Sequence, residues 1–377
     1  MRAFVFTDKS LARHAGRFVW LEIDTEKASN AGFRRKFPVQ ALPTFFVVDP
    51  VDEKVAVRWV GGMTVAQIDR LASSDALESK RHARGPDAEL ARADSLYGEA
   101  DNPGAARAYE AVLGQTSPRG PRYARIVDAL LFALSQADSS RRCVEIAHEA
   151  LPNLRGSPGM ASAAASGLDC ALNLPATDPD RARWIAEFEA ACRAALADTT
   201  LDIAADDRSG IYGSLVTART DARDDPGHHA VAAEWASFLE REAARATTKE
   251  QRAVFDPHRL SAYLELGEPE RAIPMLEQSR RDFPEDYNPP ARLAIAYRAM
   301  KQWAKALEAS NEAMAKAYGP RKLRLYDTRA DIYAGAGDST AARHTLEEAV
   351  RFGEALPAGQ RSESSIAGIK NKLAHYR

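Results

Sequence analysis

The chain has 377 residues, 45% of them apolar and 28% charged, with a net charge of −2. The length argues for about two to three domains and the composition excludes wholesale disorder. No apolar run approaches the ~18 residues that a membrane-spanning helix needs, and Met1–Lys9 lacks the basic-then-apolar pattern of an export signal. Charge is near balance in both parts of the chain, with 11 basic and 9 acidic groups over residues 1–75, which argues against nucleic acid or an anionic membrane as partner. The strong bias of Arg over Lys, with Ala-rich stretches, suggests a GC-rich bacterial genome.

Taken in chain order, Met1–Ala15 reads as a helical tail. Phe18–Asp24 (FVWLEID) is aromatic and β-branched and predicts a strand. Glu26–Phe37 predicts a helix stopped by Pro38. Pro43–Asp49 (PTFFVVD) is a near-continuous apolar run, the pattern of a strand buried on both faces. A turn at Asp49-Pro50-Val51-Asp52 leads into a third strand, Val55–Gly61, closed by a Gly61-Gly62 turn. Thr64 is placed to cap a helix that runs to about Ser74. The order over 1–76 is β-α-β-β-α, and 77–89, polar and broken by Gly85-Pro86, reads as a linker.

That order, with Ala41-Leu42-Pro43-Thr44 directly before a buried strand, resembles the C-terminal part of a thioredoxin-like fold. The resemblance implies a cis peptide bond at Pro43. It also implies a substrate-binding loop of Leu42, Pro43 and Thr44, in which the Leu42 backbone pairs with an extended chain. The sequence departs from the family in one respect: no cysteine precedes Cys143. A thioredoxin-like enzyme places a CxxC at a helix N-terminus, where the thiolate is stabilised. Here that motif, with the central strand before it, would fall upstream of Met1. Two readings stay open, a natural start upstream of Met1 or a degenerate fold whose sheet has closed up. The cost of unpaired edges left by a deleted central strand favours the first.

After residue 90 the pattern is helical, punctuated by Pro, Gly and Asp. Tyr263, Tyr297 and Tyr333 are separated by 34 and 36 residues, and Ala272, Ala306 and Ala342 repeat those separations. Leu276 with Leu346, and Ala313 with Ala349, occupy two further equivalent positions. Small residues at fixed places let paired helices approach closely. This spacing, with Pro284 closing the first unit, resembles tetratricopeptide repeats over 257–353. Residues 90–255 read as degenerate versions of the same helix pairs, 256–353 as the repeats proper, and 354–377 as a capping helix over the last apolar face. The fold class expected is therefore α/β plus all-α, a partial thioredoxin-like fold followed by a tetratricopeptide-like α-solenoid.

No phosphate-cradling or metal-binding motif is present, and no cofactor, metal or catalytic residue is expected. Cys143, Cys170 and Cys192, without a CxxC, read as small buried hydrophobes rather than a disulfide framework. Trp184, Phe188 and Cys192 form a core stripe. Asp206-Asp207, Asp224-Asp225 and His228-His229 read as solvated helix starts. Lys80–Arg84 is too short and too closely flanked by acidic residues for a nucleic-acid patch.

The function expected is a redox-silent scaffold that binds a protein or peptide client. The repeat resemblance implies groove positions at Asn288, Arg298, Arg324, Asp327 and Asp331, each of which could equally be an ordinary exposed helix residue. The alternative is a thiol–disulfide oxidoreductase whose CxxC lies upstream of Met1 and whose repeats recruit clients. This sequence reads as cytoplasmic, or as periplasmic if an export signal precedes it.

Overall fold

A computed structural model describes residues 4–39, 42–53, 55–60, 63–72 and 85–376. The expected Gly61-Gly62 turn, the basic run 80–84 and most of the expected linker lie outside the described residues. The chain forms two compact units, one of Met1–Val19 with Val39–Val231 and the other of Trp20–Pro38 with Ala232–Arg377.

The N-terminal stretch is less regular than its sequence suggests. Instead of a helical tail there is a 3-10 turn, Lys9–His14, started by the Asp8 carboxylate, which accepts from the Ser10 amide. Phe18–Asp24 is not a strand, and Val19, Trp20 and Leu21 are exposed. Strand propensity measures how a side chain fits a pleated surface, and it does not by itself make a strand. The helix expected over Glu26–Phe37 is confined to a 3-10 turn, Ala28–Asn30, and a short α1, Ala31–Lys36.

The next elements follow their sequence signals. β1 (Thr44–Val48) and β2 (Val55–Val60) pair antiparallel, Thr44 opposite Val60, with an irregularity between Val47 and Val48. The Asp49 carboxylate accepts from the Val51 amide and closes the turn between them. α2 (Val65–Leu71) opens with a reciprocal cap: the Gln67 amide donates to Thr64 Oγ1, and the Thr64 amide donates to Gln67 Oε1. Leu11, Met63 and Ile68 form a small core with Val5, Phe45 and Trp59 packed against it. Among the described residues the sheet has two strands, not the three expected.

The rest of the first unit is helical: α3 (Pro86–Gly98), α4 (Asn102–Gly114), α5 (Tyr123–Gln136), α6 (Ser140–Leu154), α7 (Pro158–Leu172), α8 (Arg181–Ala197), α9 (Ala205–Asp221) and α10 (Asp225–Arg245), within which the second unit begins. Each helix buries one stripe against its neighbours. On α5 it is Ile126, Val127, Leu130, Leu131 and Leu134; on α8 it is Trp184, Phe188 and Cys192. Gly167 on α7 lets the Phe188 ring approach so closely that an added Cβ would lie 2.4 Å from it. A buried polar cluster ties the hairpin to the helices. Arg58 of β2 donates to the Asp94 carbonyl, while the Asp94 carboxylate accepts from Tyr109 and from Arg125.

One cysteine expectation is overturned. Cys143 of α6 and Cys170 of α7 are joined by a disulfide, and only Cys192 is free. The two helices are packed neighbours, which brings the Cα atoms to 6.1 Å, within bonding range, although 27 residues separate them in sequence. Cys192 does behave as a small hydrophobe, and burial pushes its thiol well above the ordinary range.

In the second unit α11 (Lys249–Val254) precedes a series of pairs: α12 (Asp256–Glu265) with α13 (Ala272–Asp282), α14 (Asn288–Ala299) with α15 (Trp303–Lys316), and α16 (Lys322–Gly335) with α17 (Ser339–Ala355). α18 (Glu363–Ala374) packs on α17. The first helices α12, α14 and α16 also touch in sequence, so they form one layer. The repeated alanines and leucines, Ala272, Ala306, Ala342, Leu276 and Leu346, are all completely buried. Tyr263 is buried, while Tyr297 and Tyr333 are only partly so. Ile366 and Ile369 of α18 are buried, Ile369 in a cluster with Leu323, Leu346, Ala349 and Leu356.

Candidate functional site

Two surfaces of the second unit carry arrangements that a plain stack of helices does not need. The first lies on the layer of first helices. Arg298 of α14 donates to Asp331 of α16 at 2.5 Å, and Lys372 of α18 bridges Asp331 and Asp327 at 2.6 Å each. Three of the five expected groove residues, Arg298, Asp327 and Asp331, are thus brought together in one row. Their side chains are 35%, 46% and 34% exposed. Lys372 was not anticipated. Its signal was available, because it occupies the first-helix register of the capping element, but the repeat spacing is lost before it. Arg324 is exposed one turn before the row. Asn288 sits apart, at the start of α14, where its amide and side chain both donate to the Asp286 carboxylate.

The second surface runs along the turns that join one pair to the next. Three equivalent turns, before α14, before α16 and before α18, hold the segment Trp20–Pro38. Asp24 shapes that segment: one carboxylate oxygen accepts from the Glu26 amide at 2.9 Å, and its carbonyl accepts from Asn30 Nδ2 at 2.7 Å. The other carboxylate oxygen accepts from the Tyr318 hydroxyl at 2.6 Å. Glu26 accepts from the Tyr287 hydroxyl at 3.2 Å and is ion-paired with Arg321. Burial pushes the Glu26 carboxyl above its ordinary range, with Arg321 acting the other way. The bond to Asp24, followed by burial, pushes Tyr318 up to about 12.

Gln360, 3% exposed, completes the grip. Its Nε2 donates among the carbonyls of Thr25, Glu26 and Lys27, at 3.1, 3.0 and 3.1 Å. Gly319, at φ +64°, passes beneath the segment; a Cβ there would stand 2.3 Å from the Glu26 carbonyl. A cleft of about 630 Å³ opens beside these contacts, with Phe283, Tyr287 and Tyr318 supplying aromatic walls and Asp24, Glu26 and Arg321 its charges. Tyr287 and Tyr318 meet edge to face, 6.3 Å between centroids. No sequence signal marked this surface, because its two sides lie about 300 residues apart in the chain.

The Leu42–Pro43 bond is cis, Leu42 is 58% exposed, and Thr44 is the first residue of β1. Asp206 and Asp207 lie in the first turn of α9, and the Asp224 carboxylate accepts from the Gly227 amide at the start of α10. His228 faces Thr220. Among the described residues no group of His, Cys, Asp and Glu could hold a metal ion, and no helix is long and apolar enough to cross a membrane.

The chain matches no protein-family model, and no curated protein matches it. Solved structures to which it is similar include a tetratricopeptide repeat protein from Parabacteroides merdae, with a TM-score of 0.41 and 10% identity, over 77% of this chain and 98% of that one. The assembly chaperone of RpL4, Acl4, gives 0.36 and 11% over 78% and 96%. The complex of the TPR2AB domain of yeast Sti1 with an Hsp90 peptide gives 0.29 and 14% over 77% and 98%. These scores are low, and the repeat character described above rests on this chain's own spacing and helix pairing.

Proposed function

We propose that the chain is a protein-interaction scaffold that holds a partner polypeptide on the layer of first helices, α12, α14, α16 and α18. The observation that carries this reading is the row Arg298–Asp331–Lys372–Asp327, which crosses three successive first helices with its charges partly exposed. Ion pairs at such exposure stabilise a fold by about 0–1 kcal/mol. They can therefore be exchanged for contacts with a partner at little cost to the host. Stacked helix pairs present such rows along one continuous face, which suits an extended or helical peptide.

The reading is tested by selecting binders to the whole chain from a displayed random-peptide library. Arg298→Glu and Lys372→Glu should each weaken the selected peptides at least tenfold. Arg343→Glu, on a second helix and paired with Glu347, should leave them unchanged. Equal affinity for all three variants would end the proposal.

The hairpin β1–β2 with α2 is read as a scaffold module resembling the C-terminal part of a thioredoxin-like fold. The order of elements after Leu42-Pro43 supports this, and Leu42, Pro43 and Thr44 form the loop that a bound chain would meet. The Cys143–Cys170 bond supports residence in an oxidising compartment, where such bonds persist.

A further inference from the structure

We propose that the edge of the second unit formed by its three inter-repeat turns is a peptide-docking site for an Asp-x-Glu turn. In this chain the site is filled by the chain's own Asp24-Thr25-Glu26, and that occupant is exchangeable. The site is separate from the first-helix row and does not depend on it.

Three features distinguish it from ordinary packing. First, recognition is divided between side chains and backbone. Tyr318 reads Asp24, Tyr287 and Arg321 read Glu26, and Gln360 reads three successive carbonyls without regard to sequence. A fold that needed only to cover a surface would bury apolar side chains there; this one places hydrogen-bond donors against a turn. Second, each equivalent turn of the repeat contributes one part of the grip, so the site follows the repeat and not a local accident. Third, the path is kept clear: Gly319 lies under the Glu26 carbonyl, where a Cβ would stand 2.3 Å from its oxygen.

Among the described residues of the occupant Phe37 is buried, against Phe33, and the others are partly or wholly exposed. The segment contains a six-residue helix and a 3-10 turn, and its apolar residues Trp20 and Leu21 remain exposed. At Asp24–Lys27 the three turns hold it by hydrogen bonds and an ion pair, which is the character of a bound ligand. Local elements held this way open at much lower free energy than packed helices.

The test uses the full chain carrying Asp24→Ala and Glu26→Ala, which vacates the side-chain subsites, and a fluorescein-labelled peptide of residues 20–38 as probe. Anisotropy should show saturable binding to this variant and at least tenfold weaker binding to the unaltered chain, whose site is filled. Adding Arg321→Ala and Gln360→Ala should reduce binding at least tenfold, as should placing both alanines in the peptide instead. No binding to a variant that keeps its helical circular dichroism would show that the segment is built into the fold, and would overturn the proposal. Binding that ignores Arg321 and Gln360 would overturn it too. If the variant does not fold, hydrogen exchange on the unaltered chain decides. Amides of 24–31 must exchange faster than those of α14–α17, and the proposal fails if both exchange together.

Discussion

At the scale of single residues, two glycines illustrate opposite uses of a missing side chain. Gly167 is buried between α7 and α8, where the fully buried Phe188 ring cannot move aside. Overpacking a site of this kind costs about 1–3 kcal/mol. Gly167→Val should therefore lower the urea midpoint by an amount worth about 2–3 kcal/mol, with the slope unchanged. Gly210, inside α9, has open space where a Cβ would go. Gly210→Ala should raise stability by about 0.5–1 kcal/mol, because alanine is the better helix former. Sequence alone presents both as glycines inside helical patterns. The difference between them is which neighbour stands across the helix, and that is a tertiary fact.

Elements are held together by a few shared polar groups, and two of these give distinct expectations. Asp94 accepts from Arg125 and Tyr109 while its carbonyl accepts from Arg58, so it joins β2 to α3, α4 and α5. Removing one partner of a buried ion pair strands the other and costs about 3–5 kcal/mol. Asp94→Ala should show a loss of that order in chemical unfolding. The repeat tyrosine Tyr263 donates to Glu240 at 2.7 Å, and Arg271 does so at the same distance. Partial burial raises the Glu240 carboxyl, and the two donors outweigh it, so the net displacement is below the ordinary value of 4.5. A depressed carboxyl contributes stability above its unfolded value and loses it as pH falls through its folded one. The stability difference between the unaltered chain and Glu240→Gln should accordingly be constant from pH 7 to about 5 and shrink below 4.5. A difference that grew on acidification would contradict the assignment. The helix pairs, the buried alanines and the core stripe of α8 were legible in the sequence because they are periodic and local. The strand expected at Phe18–Asp24 was misread because strand propensity is a local signal, whereas membership of a sheet is not, and the described sheet is built from β1 and β2.

For the molecule as a whole, the cystine sets a measurable boundary condition. Chain denatured without reductant should react with one thiol reagent per molecule, and with three after reduction, since Cys143 and Cys170 are bonded and Cys192 is not. The bond closes a 27-residue separation, so reduction should cost about 3.5 kcal/mol in the chain-entropy account. Three free thiols in the protein purified without reductant would remove both this expectation and the argument for an oxidising compartment.

Much of the site was less legible than the fold. Arg298, Asp327 and Asp331 were expected on one face only through the repeat resemblance, and their side chains are joined in one row through Lys372. Lys372 lies beyond the last full period, and Gln360, Tyr318 and Arg321 act on a segment near the other end of the sequence. By itself the sequence determined the helix pairs after residue 90, the small residues that let them approach, the β1–β2 hairpin and the capped start of α2. All of these rest on residues within about 40 positions of one another, where spacing and capping chemistry suffice. Only the tertiary structure decided that Cys143 meets Cys170, that Trp20–Pro38 belongs with the C-terminal helices, and that three turns converge on Asp24 and Glu26. Those pairings depend on which distant surfaces the packed chain brings together, and composition and period carry no record of that.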